Sequence, residues 1–404
     1  MPLAQVLVHL QGQTFIRKRS KNLTRKESGH IDLSFLKSSM PIMSNAYNVL
    51  LFTDAEVVRQ PVAETLQALP SLTLVAESHS RIDAVTKVKN HAVNLVLLDI
   101  GASDADRTLK RLREVLPDIP VILIGMLTFS NVRASMEALL LGAVEFIPTP
   151  TPHAANTDRR SFERNLVEIL SGLHEREKPT PAPAAPSRPV RQEVRPQPTK
   201  PTPPNITLAK PGTKKPRVLL IGSSTGGPKA VTDVLEQLRK PFPLPILVTQ
   251  HMPPGFTATF ATNIQRRTGH TASEGKENEL VQPGRVYIAP GGLHQILIRK
   301  GDKVYIHLDD GPQVNFCKPA VDPMFESAAK AYDGDILALV LTGMGHDGRD
   351  GARKIVDAGG TLIAQDAETS VVWGMPGAVA EAGLASEILP LEDIAARVME
   401  LCRS

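Results

Sequence analysis

Aromatic residues, cysteines and long apolar runs are all scarce in this 404-residue chain. Aromatic residues make up only 4% of it, which leaves few surfaces on which single-stranded nucleic acid could stack. The two cysteines, Cys317 and Cys402, lie far apart without a CxxC pair, which argues against a disulfide framework and against thiolate zinc. No apolar run approaches the length of a membrane span, and the N-terminal segment lacks the basic leader and cleavage site of a secretory signal. These absences predict a cytoplasmic protein with no membrane insertion.

The net charge of +4 is unevenly distributed along the chain. Residues 178–217 carry a local charge of +8 and residues 1–46 a local charge of +5, so the remainder of the chain holds −9. The basic segments are expected to be solvated and flexible. Because the parts that can fold are acidic, the sequence predicts no binding of nucleic acid by them.

The pattern of apolar residues divides the chain into four segments. Residues 1–46 lack sustained periodicity and are predicted to be a disordered basic extension. Residues 47–177 contain five alternations of a short apolar strand and a helix, which predicts a doubly wound (βα)5 domain. Residues 178–216 hold 12 of the 34 prolines and form a predicted stiff, basic linker. Residues 217–404 repeat the strand–helix alternation, so a second α/β domain with a mostly parallel sheet is expected.

The stretch IGSSTGGPKA follows the first strand of the second domain and opens a helix. It fails as a Walker loop because Pro228 precedes Lys229, and it fails as a dinucleotide loop because Ser224 stands where the second glycine belongs. The residues 222–226 do match GxSxG at a strand-to-helix turn, which predicts that Ser224 is a nucleophile. The alternative is a glycine turn with an N-capping serine, and the motif alone leaves both open.

A serine nucleophile needs a base and a carboxylate that orients the base. Sites in doubly wound sheets form outside the carboxyl ends of strands, so the histidines and carboxylates that follow strands are the candidates for the base and the acid. His251 and Asp347 each follow an apolar strand of the second domain and are predicted to complete a triad with Ser224. Other side chains near strand ends or loops remain candidates on the same argument: His294, His346, Asp322 and Asp366.

Six motifs in register identify a resemblance that covers 217–404. IGSSTGGPKA, VTQHMPPGFT, VYIAPGGLH, VDPMFESAA, LTGMGHDGRDGARKI and AQDAETSVVWGMPGAV occur in the order of the CheB-type protein-glutamate methylesterases of bacterial chemotaxis. The resemblance implies Ser224 as nucleophile, His251 as general base and Asp347 as the orienting carboxylate. It also implies that Thr225 and the loop at Met344 stabilise the oxyanion.

The same resemblance implies a reaction and partners. The reaction is hydrolysis of glutamate γ-methyl esters on the cytoplasmic helices of methylated chemoreceptors, with glutamine deamidation as a second activity of the same acyl chemistry. It implies no cofactor and no metal at the esterase site, and the chemotaxis histidine kinase as a further partner. Two residues depart from the family pattern: His346 stands where asparagine is frequent, and Cys317 occupies one position of a usual basic pair.

The first domain resembles the receiver of a response regulator, but its acceptor site is damaged. Asp99 keeps the phosphoacceptor position, whereas 53–54 reads Thr-Asp where two acids belong. Gly125 replaces the hydroxyl residue, and Thr149 replaces the lysine before proline. Phosphoryl transfer depends on magnesium and lysine to neutralise charge, so a pseudo-receiver without effective Mg²⁺ binding is expected. This damage also motivates a rival hypothesis for the whole chain, a non-catalytic docking module; nucleotide binding is a weaker one.

Overall fold

The computed structural model describes residues 47–150, 156–177 and 206–403. The predicted basic extension and most of the predicted linker, 178–205, lie outside the described residues, whereas 206–216 is described and forms no helix or strand. All the described residues belong to one compact unit. Within the described ranges, none of the helices combines the length and apolarity that crossing a bilayer would require.

The first domain is a five-stranded parallel sheet in the order β2-β1-β3-β4-β5 with alternating helices. The three central strands, 47–52, 95–99 and 121–125, are short apolar runs that are almost wholly buried, as expected for a sheet covered on both faces, whereas the two edge strands are partly exposed. The predicted (βα)5 architecture is therefore confirmed. Its elements are β1 (Tyr47–Phe52), α1 (Glu56–Ala68), β2 (Leu72–Ser78), α2 (Arg81–Asn90), β3 (Leu95–Asp99), α3 (Ala105–Val115), β4 (Val121–Gly125), α4 (Phe129–Leu140), β5 (Glu145–Pro148) and α5 (Asn156–Glu177).

The second domain is a seven-stranded sheet in the order β14-β13-β12-β6-β7-β9-β8, and every strand pair in it is parallel. A separate antiparallel hairpin joins β10 to β11. The elements are β6 (Val218–Ser223), α6 (Gly227–Gln237), β7 (Ile246–Gln250), α7 (Phe256–Thr268), β8 (Thr271–Glu274), β9 (Arg285–Ile288), β10 (His294–Lys300), β11 (Lys303–Asp309), α8 (Val321–Tyr332), β12 (Ile336–Val340), α9 (Arg349–Asp357), β13 (Thr361–Gln365), α10 (Gly374–Glu381), β14 (Glu387–Leu389) and α11 (Leu391–Leu401).

Strand β6 lies at the point where the strand order reverses. Its neighbours are β7 on one side and β12 on the other, with Gly222 registered against Thr249 and against Val340. Because the three strands are parallel, the loops that follow β6, β7 and β12 all lie at the carboxyl edge of the sheet. A crevice outside the carboxyl ends of strands at such a reversal is where open α/β sheets bind ligands.

Several short elements of the second domain were not expected from the sequence. Strand β8 has four residues with only one buried side chain, and β14 has three residues that are all partly exposed. The β10–β11 hairpin and helices α7 and α10 also lacked a clear signal. Strands β8 and β14 carry too few apolar residues to show a period, so tertiary packing decides their structure.

The two domains share an apolar core. One continuous cluster of buried side chains runs from the strands and helices of the first domain to those of the second. The rings of Phe146 and Phe256 meet across this boundary with centroids 5.4 Å apart. Helix α4 contacts α6 and α7, so the first domain packs against two helices of the second domain.

Candidate active site

Ser224 lies in the turn between β6 and α6, at the carboxyl edge of the sheet. Its N–H donates to Thr342 O (3.0 Å) and its carbonyl accepts from Gln250 Nε2 (2.8 Å). Gly226 holds a left-handed φ of 76°, which lets the chain enter the helix directly after the serine. A Cβ at Gly343 would lie 2.8 Å from Ser224 Cβ, so only glycine permits this close approach. The main chain thus fixes the serine, while its side chain remains partly exposed to a cavity.

His251 and Asp347 meet beside that serine. His251 follows β7, and its Nε2 lies 2.7 Å from Asp347 Oδ2 in the loop after β12. Burial of the ring disfavours its charged form, but the hydrogen bonds to Asp347 and Cys317 outweigh burial and raise the pKa of His251 to about 10. Ser224, His251 and Asp347 all line one cavity of about 1040 Å³. The structure therefore brings the three predicted triad residues to one site.

Asp347 is buried and held by several donors. Its Oδ2 also accepts from Val321 N–H (2.5 Å), and its Oδ1 accepts from Asn315 Nδ2 (3.0 Å) and from the N–H of Asp322 (3.2 Å). Burial alone would raise the pKa of Asp347, but the His251 ring and these donors lower it to about 2. The carboxylate is charged at neutral pH and is rigidly aimed at the imidazole.

A second carboxyl group shares this network. Asn315 Nδ2 also donates to Asp322 Oδ2 (2.8 Å), and Gly351 N–H donates to Asp322 Oδ1 (2.7 Å). Burial, partly offset by the Gly351 hydrogen bond, and the adjacent charge of Asp347 raise the pKa of Asp322 to about 7. Ionising two neighbouring buried carboxyl groups together is unfavourable because their negative charges repel each other. Asp322 is therefore the one that takes up a proton, and Asp347 stays charged.

The second nitrogen of the imidazole has an unexpected partner. Cys317 Sγ lies 3.4 Å from His251 Nδ1. Among the described residues, no hydrogen bond joins the Ser224 hydroxyl to the His251 ring. The imidazole in this conformation is thus paired with a thiol and a carboxylate, so the serine hydroxyl must replace the thiol at Nδ1 before the ring can act as its base.

The rival histidines and carboxylates have other roles in the fold. His294 is buried, its Nδ1 accepts from Ala320 N–H (3.1 Å), and its Nε2 donates to Pro312 O (2.9 Å), so neither nitrogen faces Ser224. His346 lines the cavity but is exposed, whereas its neighbour Asp347 is buried. Asp366 caps a turn by accepting from Thr369 N–H (2.9 Å).

The predicted oxyanion residues also lie at the site. Thr225 and Met344 line the same cavity as Ser224. The Thr225 carbonyl accepts from Thr342 Oγ1 (2.9 Å), which ties the nucleophile turn to the loop that follows β12. Within the described residues, no three His, Cys, Asp or Glu side chains are grouped so that they could hold a metal ion.

The first domain forms part of the cavity wall. Gly226 N–H donates to Val144 O (3.2 Å), and the next residue, Glu145, lines the cavity together with Phe146 and part of α5. Burial raises the pKa of Glu145, although hydrogen bonds from Phe146 N–H and the Thr225 side chain and the nearby His251 favour its charged form. A carboxyl group of the first domain thus lies among the predicted catalytic residues.

The acceptor site of the first domain is closed by its own residues. Asp99 is only 2% exposed, its Oδ2 accepts from Thr53 Oγ1 (2.7 Å), and its Oδ1 accepts from Gly101 N–H (2.9 Å). Asp54 Oδ2 accepts from the N–H and hydroxyl of Ser103 (3.0 and 2.9 Å). Burial raises the pKa of Asp99, against the opposing effect of the Thr53 and Gly101 hydrogen bonds.

Sequence reasoning missed the roles of three contributors to the site. Asn315 and Cys317 lie in VNFCKPAVD, which differs from the usual family pattern, whereas Asp322 at the end of that stretch is one of the predicted candidate carboxylates. Glu145 was missed because it belongs to another domain, and no local pattern reveals which face of that domain packs on the site.

Comparisons with known proteins identify the family of the chain. The CheB methylesterase family model matches residues 219–398. A protein-glutamate methylesterase/protein-glutamine glutaminase of Rhodopseudomonas palustris (strain HaA2) is 40% identical over 362 residues, which cover 87% of this chain and 93% of that protein. The corresponding protein of Azospirillum brasilense is 40% identical over 361 residues, covering 86% and 90%. The crystal structure of the Thermotoga maritima CheB methylesterase catalytic domain is 45% identical, with a TM-score of 0.45, and covers 46% of this chain and 98% of that one. The chain therefore belongs to the CheB methylesterase family.

Proposed function

We propose that the chain hydrolyses glutamate γ-methyl esters on chemoreceptors with Ser224, His251 and Asp347 as its triad. The observation that carries the proposal is the 2.7 Å contact between His251 Nε2 and Asp347 Oδ2 in the cavity that Ser224 also lines. The relatives named protein-glutamate methylesterase/protein-glutamine glutaminase support the substrate.

In the first half of the reaction, Ser224 Oγ attacks the ester carbonyl while His251 Nδ1 takes the hydroxyl proton. Asp347 keeps the ring oriented and stabilises its charge. The oxyanion forms at the start of α6, where free N–H groups and the helix dipole favour negative charge, and Thr225 and the Met344 loop supply further contacts. Collapse of the intermediate breaks the bond to the methoxy oxygen, which leaves as methanol with the proton from His251.

In the second half, His251 takes a proton from water, and the hydroxide attacks the acyl-enzyme. The bond to Ser224 breaks, the serine regains its proton from the imidazolium, and a glutamate side chain is released. A glutamine side chain passes through the same acyl-enzyme with ammonia as the first leaving group, which gives the deamidation. This chemistry requires no metal or cofactor.

The first domain acts, in this proposal, as a pseudo-receiver. Thr53 donates a hydrogen bond to one carboxylate oxygen of Asp99, and Ser103 donates to a carboxylate oxygen of Asp54. The carboxylates that would bind magnesium therefore already have hydrogen-bond partners within the domain. The residues present do not fit Mg²⁺, and Thr149 supplies no positive charge. Regulation is therefore independent of phosphorylation and depends on a protein partner, for which the chemotaxis histidine kinase and the receptor are candidates.

The direct test is release of methanol from receptor helices that carry methylated glutamates. Enzyme-dependent release is expected, together with stoichiometric labelling of Ser224 by a serine-reactive phosphonate. A chain that folds but releases no methanol and takes no phosphonate would leave the docking-module hypothesis in its place.

A further inference from the structure

The segment that presents Cys317 is a strained two-residue turn. Val314 and Cys317 form an isolated antiparallel bridge through N–H to O bonds of 3.1 and 2.9 Å. Between them, Asn315 and Phe316 both have left-handed φ values of 50° and 64°. Asparagine tolerates this conformation, but it is sterically unfavourable for phenylalanine. The turn aims three side chains differently: Asn315 toward the two buried carboxyls, Phe316 into solvent, and Cys317 toward His251.

Cys317 has the surroundings that activate a cysteine. Its Sγ is 3.4 Å from a ring nitrogen whose partner nitrogen is fixed by a buried carboxylate. A base within hydrogen-bond reach of the sulfur, itself held by a carboxylate, is the arrangement that activates a nucleophile. The thiol is partly exposed and lines the 1040 Å³ cavity, so a small reagent can reach it. Ester hydrolysis by Ser224 makes no use of this thiol.

The thiol and the serine compete for one nitrogen. The imidazole has two ring nitrogens, and Asp347 holds Nε2. Only Nδ1 remains for Ser224, and Cys317 contacts it in this structure. A group attached to the sulfur would stand between the base and the serine.

We propose that Cys317 is a modification site for small disulfides, and that mixed-disulfide formation there reversibly switches off the esterase. The thiol proton passes to His251, and the thiolate attacks one sulfur of the disulfide. A new S–S bond forms at Cys317, the original S–S bond breaks, and the second sulfur leaves as a thiolate that takes the proton back from His251. Cys317 is oxidised and half of the reagent is reduced. The part concerning esterase activity rests on the proposed function, whereas the thiol chemistry does not.

Cys402 provides an internal comparison. It is only 7% exposed at the end of α11, among the apolar core, and burial raises the pKa of its thiol to about 11. The folded chain therefore contains one cysteine that is accessible from the cavity and one that is buried, and reaction at Cys402 reports loss of the fold.

The experiment treats the full-length chain with dithiobis(nitrobenzoate) and with oxidised glutathione at neutral pH and locates the adducts by mass. One fast reaction at Cys317 is expected, absent in Cys317→Ser and slowed at least about tenfold in His251→Gln. Asp347→Asn should slow it as well, and Cys402 should stay unmodified in every folded variant. Methanol release by the wild type should fall in proportion to the fraction of modified protein and should recover after treatment with dithiothreitol. Methanol release by Cys317→Ser should be the same with and without the disulfide.

Two outcomes would overturn the inference. One is a Cys317 rate no faster than that of a free cysteine peptide and unchanged in His251→Gln. The other is a fully modified protein that still releases methanol at the untreated rate. Ser224→Ala separates this inference from the proposed function, because it should lose methanol release but keep the fast thiol reaction. Fast thiol reaction in a wild-type chain that releases no methanol would refute the esterase and the switch, leaving only the activated thiol.

Discussion

Val144 O accepts a hydrogen bond from Gly226 N–H at 3.2 Å, two residues beyond the predicted nucleophile. The first domain is thus anchored to the turn that carries Ser224, and it places Glu145 beside Thr225. Because the domain forms part of the cavity wall, we expect a receptor helix to compete with it for access to the serine.

Weakening the domain contact should raise activity on receptor substrates. Phe146→Ala removes the ring that packs on Phe256 across the boundary. Loss of an aromatic contact of this kind costs about 0.5–1.5 kcal/mol beyond its area, which can shift an open–closed equilibrium by up to about tenfold. Methanol release from methylated receptor helices should rise by that order, whereas hydrolysis of a small methyl ester should change less.

Arg266→Ala is the matched control for that contact. It breaks an ion pair with Glu137 across the same boundary, but both side chains are largely exposed. Exposed pairs contribute about 0–1 kcal/mol, so a smaller effect is expected. A folded Phe146→Ala protein, checked by urea denaturation, with an unchanged or lower rate would contradict the gating role.

Ser224→Ala should abolish hydrolysis. A triad acts as a unit, and loss of its nucleophile lowers the rate by about 10⁶ in a well-characterised serine hydrolase. Ser223→Ala is a close control because the neighbouring hydroxyl is fully buried and donates to Gln250 Oε1 (2.6 Å) rather than lining the cavity. Methanol release measured on both variants should separate the two serines. Activity that survives in Ser224→Ala would remove that residue from the mechanism.

The sequence predicts those parts of the site whose signal lies within one short stretch of the chain. The two doubly wound domains were predictable because buried parallel strands read as apolar runs. Ser224, His251 and Asp347 were predictable because each follows such a run, and β6, β7 and β12 prove to be neighbours. Asn315 and Cys317 could not be placed, since a strained turn far from any strand end positions them.

Activity should increase with pH up to alkaline values. A protonated imidazole cannot accept the serine proton, and contacts with Asp347 and Cys317 raise the pKa of His251 to about 10 despite burial. Below that pKa, each pH unit changes the fraction of free base tenfold. The profile of kcat/KM against pH should therefore show a rising limb well above the ordinary histidine value of about 6.5.

Cys317→Ser tests the cause of that limb. The substitution removes one of the contacts that raise the pKa, so the limb should move to lower pH and the rate at neutral pH should increase. His346→Gln removes the exposed histidine of the cavity and should leave the position of the limb in place. The assigned role of the thiol contact would be contradicted if kcat/KM of the wild type rose near the ordinary pKa of histidine and did so at the same pH in Cys317→Ser.

The first domain should take little or no phosphoryl label. Wild type and Asp99→Asn should take up equally little label in a phosphotransfer assay, with an intact receiver as the positive control. The reason is that Thr53 donates a hydrogen bond to Asp99 and Thr149 supplies no positive charge. Label that appears on wild type and disappears in Asp99→Asn would show that the acceptor works.

A partial repair separates the chemistry of the acceptor from its switch. Thr53→Asp with Thr149→Lys restores an acid and the lysine, so labelling that depends on Asp99 should appear, provided that circular dichroism shows an intact fold. The esterase rate should nevertheless not respond to the label, because Gly125 offers no hydroxyl to bind the phosphate. A side chain there is also disfavoured, since Gly125 has a φ of 152° and a Cβ would lie 3.1 Å from Ile100 Cγ2. An esterase rate that changes with labelling of the repaired protein would show that another residue couples the two domains.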